Sequence, residues 1–115
     1  MSKVVMLVIG DSSECGGCAG EKEFIDKNKK KLKDAGIDEI KFILPKNNDK
    51  DAKIAAMYRK KYTKSIPLEP ITIIKNSGND TAFIGWSKGK FMKNVKNGIK
   101  NVSGKKSKGF LGSFK

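Results

Sequence analysis

Two cysteines three positions apart are the residues of this chain best suited to chemistry. Cys15 and Cys18 are the only cysteines among the 115 residues, and the chain contains no histidine. They follow a short apolar segment, Val4 to Ile9, that predicts a buried strand, and they open a stretch with helical periodicity. The unpaired N–H groups of a first helical turn stabilise an anion, so we expect a cysteine there to have a lowered pKa.

This spacing predicts thiol–disulfide exchange. With two residues between the cysteines, the second thiol lies one turn further along the same helix face, where it can attack a mixed disulfide formed at the first. We therefore expect Cys15, as the thiolate, to attack a substrate disulfide and Cys18 to resolve the intermediate, which leaves the Cys15–Cys18 pair oxidised. The predicted class is an enzyme, a disulfide oxidoreductase whose redox-active group is the cysteine pair itself, with no other cofactor and no metal.

Other uses of the two cysteines fit the sequence less well. A closed zinc site needs four Cys or His ligands, which this chain alone does not supply, and one pair three residues apart does not make a disulfide scaffold. A zinc or iron–sulfur site shared between two subunits is the remaining metal alternative. Metal analysis of the reduced protein would decide it.

The pattern of apolar residues predicts the element order β-α-β-α-β-β-α. Strands are expected over 4–9, 37–44, 71–74 and 81–84, the last two forming an antiparallel hairpin around the turn 76–80. Helices are expected over about 15–35, from a cap at Asp49 or Asp51 to Tyr62, and from Ser87 to about Val102. The predicted fold class is therefore α/β, with a four-stranded mixed sheet flanked by helices.

These features together resemble the thioredoxin/glutaredoxin superfamily over about residues 3–102. The resemblance rests on Cys15-Gly16-Gly17-Cys18 after the first strand, on a proline before the third strand, and on a following pattern of turn, glycine and helix start. That pattern reads Pro70-Ile71-Thr72-Ile73-Ile74-Lys75-Asn76-Ser77-Gly78, then Gly85 and Ser87-Lys88-Gly89.

The resemblance implies a thioredoxin-like fold and a set of substrate contacts. Pro70 is the better match to the family's cis-proline beside the dithiol, and Pro67 is the second candidate. The backbone of Glu69 is expected to pair with an extended substrate segment, and Gly16 and Gly17 to border the substrate.

The family also implies an activity and a recycling partner. We expect reduction of protein or small-molecule disulfides, with ribonucleotide reductase as one possible electron acceptor, and regeneration by a dithiol reductase or by glutathione. The sequence departs from the family at Glu14, where thioredoxins carry tryptophan, and at Gly85-Trp86-Ser87, which lacks the acid of the glutathione signature. Glutathione binding through that element is therefore unsupported.

The charge of the chain is concentrated in its C-terminal third. The 25 basic and 12 acidic residues give a net charge of 25 − 12 = +13, but no acid follows Asp80, and the nine lysines after it give +9 for residues 81–115. Such a segment attracts polyanions and acidic partners in a salt-dependent way. A second hypothesis is therefore a binding module of the same fold that docks on nucleic acid or on an acidic protein through its lysine-rich surface.

The remaining expectations concern organisation and location. Residues 1–102 are expected to form one domain, and residues 103–115 a basic, flexible tail. The apolar run at the first strand is too short for a membrane helix and lacks the features of a signal peptide. We expect a cytoplasmic monomer without membrane contact.

Overall fold

The structure, a computed structural model, describes residues 3–10, 16–64 and 70–103. These residues form four strands and four helices. In chain order they are β1 (Val4–Ile9), α1 (Gly16–Lys27), α2 (Lys29–Ala35), β2 (Glu39–Ile43), α3 (Asp49–Thr63), β3 (Ile71–Asn76), β4 (Asn79–Ile84) and α4 (Lys88–Ser103).

The strands form one mixed sheet in the order β2-β1-β3-β4. β1 pairs with β2 in parallel, while β3 runs antiparallel to both β1 and β4. β1 therefore occupies a central position, as its unbroken apolar sequence predicts for a strand that is covered on both faces. The predicted α/β class, the mixed sheet and the hairpin of the last two strands are confirmed.

Alternate side chains of the central strand fill two separate cores. Met6 and Val8 of β1 belong to a cluster that also contains Ile25 of α1, Leu32 of α2 and Phe91 of α4. Leu7 and Ile9 face the opposite side of the sheet, where they pack with Ala55 and Tyr58 of α3. Because successive side chains of a strand point to opposite faces, the sheet is covered on both sides, and the flanking by helices is confirmed.

The first predicted helix is not continuous, so the predicted element order is wrong at this point. It breaks at Asn28, which separates α1 from α2 and adds a helix to the predicted order. The Asn28 side chain donates a hydrogen bond to the Phe24 carbonyl at 2.8 Å, and its backbone N–H bonds to Ile25 at 3.1 Å. The asparagine side chain thus competes for a backbone carbonyl that a regular helix would use. The apolar periodicity of the sequence did not reveal this break.

Several predicted boundaries also shift. The cap of α3 is Asn48, whose side chain accepts a hydrogen bond from the Asp51 N–H at 2.7 Å, rather than Asp49 or Asp51. The hairpin strands are longer than predicted, so the turn narrows to Ser77 and Gly78. Other bounds, such as those of β2, differ by one or two residues.

The last helix extends one residue into the predicted tail. α4 ends at Ser103, one residue past the predicted boundary, and the rest of the predicted tail, 104–115, lies outside the described residues. No helix in the described ranges is long and apolar enough to cross a membrane.

Candidate functional site

The second cysteine of the pair lies in the first turn of α1, at the end of the sheet where β1 finishes. α1 begins at Gly16, and its buried residues are Cys18, Glu21 and Ile25, spaced three and four apart on the face that meets the sheet. The Cys18 side chain is only 3% exposed. The predicted nucleophile Cys15 directly precedes Gly16 in the sequence and lies outside the described residues, as do Glu69 and Pro67.

Cys18 packs directly against the residue that follows β1. A Cβ atom added to Gly10 would lie 2.5 Å from the Cys18 Sγ and 3.5 Å from the Cα of Pro70. Only the absence of a side chain at Gly10 allows this close approach of the helix to the strand end. The family resemblance implied that Pro70 lies beside the dithiol. The structure brings Cys18 and Pro70 against Gly10, which the sequence analysis did not include in the site.

The two glycines between the cysteines have different surroundings. Gly16 is exposed, and a Cβ atom added there would meet no atom within 4 Å. A Cβ atom on Gly17 would lie 3.4 Å from the Trp86 Cβ and 3.5 Å from the Pro70 Cδ. Gly17 therefore joins α1 to the segments that precede β3 and follow β4, whereas Gly16 has no such contact with the described residues.

Cys18 is in a disulfide bond and does not titrate in this state. The other cysteine of the chain is Cys15. A sulfur that is almost fully buried is shielded from a substrate in solution. This burial suits a group that reacts second rather than first.

Pro70 is one of the fully buried residues of the protein. Its carbonyl accepts a hydrogen bond from the Gly85 N–H at 2.8 Å, which fixes the start of β3 to the end of β4. Gly85 has a φ of 88°, a conformation that favours glycine. The Pro70 carbonyl is thus used within the fold, and any pairing of backbone with an extended substrate has to come from a neighbouring residue.

Glu21 is a buried acid that sequence reasoning missed. Its side chain is fully buried, and its Oε2 accepts a hydrogen bond from the Thr72 hydroxyl of β3 at 2.5 Å. The other carboxylate oxygen, Oε1, has no hydrogen-bond partner among the described residues. The signal in the sequence was the spacing, because Glu21 falls between Cys18 and Ile25 on the inward face of the helix.

The environment of Glu21 changes its acidity. Burial raises the pKa of Glu21 from 4.5 to about 7, and the hydrogen bond from Thr72 only partly opposes this rise. Residues three apart on a helix are neighbours, so this carboxyl lies one turn from Cys18 on the same face. The arrangement therefore combines a buried sulfur with a buried group that can take up or release a proton near neutral pH.

Trp86 follows β4 and closes one side of the site. Its ring centroid lies 5.6 Å from that of Phe24 and 5.5 Å from that of Phe91, and a Cβ atom on Gly20 would lie 2.7 Å from the indole Nε1. The indole is half-buried, so it belongs both to the core and to the rim of the site.

The described residues contain no cluster of His, Cys, Asp or Glu that could hold a metal ion. No protein-family model, curated protein or solved structure matches this chain. The case for its function therefore rests on the residues and geometry of the site.

Proposed function

We propose that the protein is a thiol–disulfide oxidoreductase with a thioredoxin-like fold. The observation that carries the proposal is the position of Cys18, which is buried in the first turn of α1 against Gly10 and Pro70. The order and directions of the strands are compatible with this fold. The resemblance of the Cys15-Gly16-Gly17-Cys18 motif to that of thioredoxins and glutaredoxins adds support.

In the proposed reaction, Cys15 reacts first. Its thiolate attacks one sulfur of a substrate disulfide, the substrate S–S bond breaks, and the other substrate sulfur leaves as a thiolate. A mixed disulfide between Cys15 and the substrate results. We expect the N-terminal end of α1 to stabilise the thiolate, since Cys15 directly precedes the first helical residue.

Cys18 then completes the exchange. It loses its proton and its thiolate attacks the Cys15 sulfur, which releases the second substrate thiolate and forms the Cys15–Cys18 disulfide. Two electrons pass from the dithiol to the substrate. We assign to Glu21 the uptake of the proton from Cys18, because its carboxyl lies one turn away and has a pKa of about 7. A dithiol reductase or a low-molecular-weight thiol such as glutathione would regenerate the dithiol.

The test is catalysed reduction of a protein disulfide in the presence of dithiothreitol. The wild-type protein should accelerate reduction, and Cys15→Ser should reduce the rate to that of dithiothreitol alone. Cys18→Ser should accumulate a mixed disulfide with the substrate, visible on a non-reducing gel and released by excess thiol.

Ala19→Ser is the matched control, because it introduces the same side chain at an exposed neighbour of Cys18. It should retain the wild-type rate. If the Cys15→Ser variant matched the wild-type protein, the proposed function would be wrong.

A further inference from the structure

A groove between the first pair of helices and the last helix carries a run of lysines. Two adjoining cavities of about 430 and 450 Å³ lie along it and share Lys31. We call this feature the lysine groove and define it by Lys27, Lys31, Lys88 and Lys96, with Phe24 and Trp86 at one end.

Two acids offset half of the positive charge of the four groove lysines. Glu23 and Asp34 also line it, and Glu23 lies 3.9 Å from the Lys27 Nζ. α4, which forms one wall, has five lysines and no acid, and none of these lysines forms an ion pair with a described acid. The other two long helices both contain acids. The groove wall is therefore available to an external anion.

The lysines form a line rather than a single point. Lys88 and Lys96 are eight residues apart on α4, and Met92 lies between them in the same wall. Their backbones are therefore about 12 Å apart along the helix axis. On the facing wall, Lys27 is the last residue of α1 and Lys31 lies in α2, beyond the break at Asn28. A linear polyanion matches this arrangement better than a compact one, because it can place successive charges along the groove.

The aromatic end of the groove favours one kind of polyanion. Phe24 and the half-buried Trp86 line the first cavity beside Lys27 and Lys88. Unpaired bases stack on aromatic side chains, which a chain of carboxylates does not do. Because the cations of the groove are lysines, they supply charge without the planar fork that arginine uses to read a base. These features suit binding of single strands without sequence preference.

We propose that the lysine groove binds single-stranded nucleic acid. Lys27, Lys31, Lys88 and Lys96 hold the phosphates, and a base stacks at the Trp86 end of the groove. The four lysines have no part in the proposed exchange, so binding of phosphates by them does not require the dithiol chemistry. This proposal assigns the binding module hypothesis, in which the protein docks through its lysine-rich surface, to one groove of the described residues.

The test uses the full chain and a fluorescein-labelled 12-nucleotide oligothymidylate, with binding followed by anisotropy over a range of salt concentrations. The groove variant Lys31→Glu, Lys88→Glu, Lys96→Glu should lose at least about 30-fold in affinity. The slope of the logarithm of the association constant against the logarithm of the salt concentration should become less steep by about 2. This is the change expected for the loss of three phosphate contacts with a single strand.

The matched control is Lys50→Glu, Lys53→Glu, Lys60→Glu, which makes the same change in net charge at three exposed positions of α3. It should lose less than about fivefold in affinity. Equal losses in the two variants would overturn the proposal, because the affinity would then follow total charge and not the groove.

Intrinsic fluorescence separates nucleic acid from an acidic protein partner. Trp86 is the only tryptophan of the chain, so stacking of a base at the groove should quench its emission. Polyglutamate of the same charge should neither quench it nor displace the oligonucleotide at equal concentration. If polyglutamate displaced the oligonucleotide and oligothymidylate did not quench Trp86, the proposal would be overturned in favour of an acidic protein partner. If a duplex of equal length bound more tightly than the single strand, it would be overturned in favour of double-stranded nucleic acid. Because oligothymidylate contains no disulfide, none of these results depends on the oxidoreductase activity.

Discussion

Glu21 shows how one buried side chain links the site to the pH of the solution. In the part of the chain that the structure describes, Thr72 is the single hydrogen-bond donor to its carboxyl, and the second carboxylate oxygen has no partner. Ionisation of this group is therefore unfavourable in the folded protein and ordinary in the unfolded chain. Folding stability should then depend on pH in a direction opposite to that of a carboxylate held in an ion pair.

We predict that stability falls as the pH rises from about 4.5 to 7. Below this window Glu21 is protonated in both states, whereas above it the folded protein holds a buried charge, since its pKa is raised from 4.5 to about 7. The full loss is about 3 kcal/mol, from 1.36 kcal/mol per pKa unit. Glu21→Gln should remove this contribution, and urea unfolding at pH 5, 6, 7 and 8 measures it.

Glu23→Gln is the control for this prediction. It makes the same chemical change two residues away, at a side chain that is 71% exposed. Its pH dependence should follow that of the wild-type protein. Parallel pH profiles for the wild-type protein and Glu21→Gln would contradict the assignment of the buried acid.

At the level of elements, the site depends on how closely α1 approaches the end of β1. The contact between Gly10 and Cys18 leaves no room for a methyl group, whereas Gly16 at the start of the same helix has open space around its Cα. The position of Cys18 relative to Pro70 is therefore set by backbone packing at the junction of helix and strand.

We predict that Gly10→Ala impairs the site while Gly16→Ala does not. The added Cβ at Gly10 would lie 2.5 Å from the Cys18 Sγ, so the first turn of α1 has to move. We expect a destabilisation of about 1–3 kcal/mol, the usual cost of overpacking, together with at least a tenfold loss of disulfide reduction. Urea unfolding and the dithiothreitol assay measure both effects. Equal activity of the two variants would show that this packing does not position Cys18.

The break at Asn28 marks a limit of sequence reasoning at the same scale. Periodicity identified the apolar face that α1 and α2 share, including Ile25 and Leu32. A continuous helix would bury almost the same residues as two helices with a break between them, so this pattern does not distinguish the two. The break depends on the competition of one side chain for backbone groups, which a pattern of apolar residues does not report.

For the molecule as a whole, an aromatic cluster connects the site to the core. Phe91 of α4 is 1% exposed, and its ring centroid lies 5.3 Å from Phe24, 5.8 Å from Phe83 and 5.5 Å from Trp86. These partners come from α1, from β4 and from the segment after β4. One ring thus holds together the elements that carry Cys18 and Trp86.

We predict that Phe91→Ala destabilises the protein by about 3–5 kcal/mol, because it removes a buried ring and leaves a cavity among its partners. Met57→Ala is the control, since Met57 is 55% exposed on α3 and should change stability by less than about 0.5 kcal/mol. Urea unfolding followed by the emission of Trp86 measures both. A loss below 1 kcal/mol for Phe91→Ala would contradict the role of the cluster.

The sequence by itself determined the elements with strong local patterns and the residues for the proposed chemistry. The apolar run of β1, the hairpin of β3 and β4, and the cysteine pair at the start of a helix were all readable from neighbours along the chain. Local periodicity indicates which face of each element is buried, because hydrophobic burial dominates folding. Periodicity does not guarantee a partner for every apolar side chain, since Met57 of α3 is 55% exposed.

Only the tertiary structure decided which distant residues meet. Gly10, Pro70 and Trp86 come together around the start of α1 because β1 and β3 are adjacent in the sheet and β4 ends beside Pro70. The buried position of Glu21 against Thr72, 51 residues away, and the groove between α4 and the first helices follow from the same packing. These arrangements depend on contacts between segments far apart in the chain. The residues next to a side chain in the sequence do not indicate which distant residue it will contact.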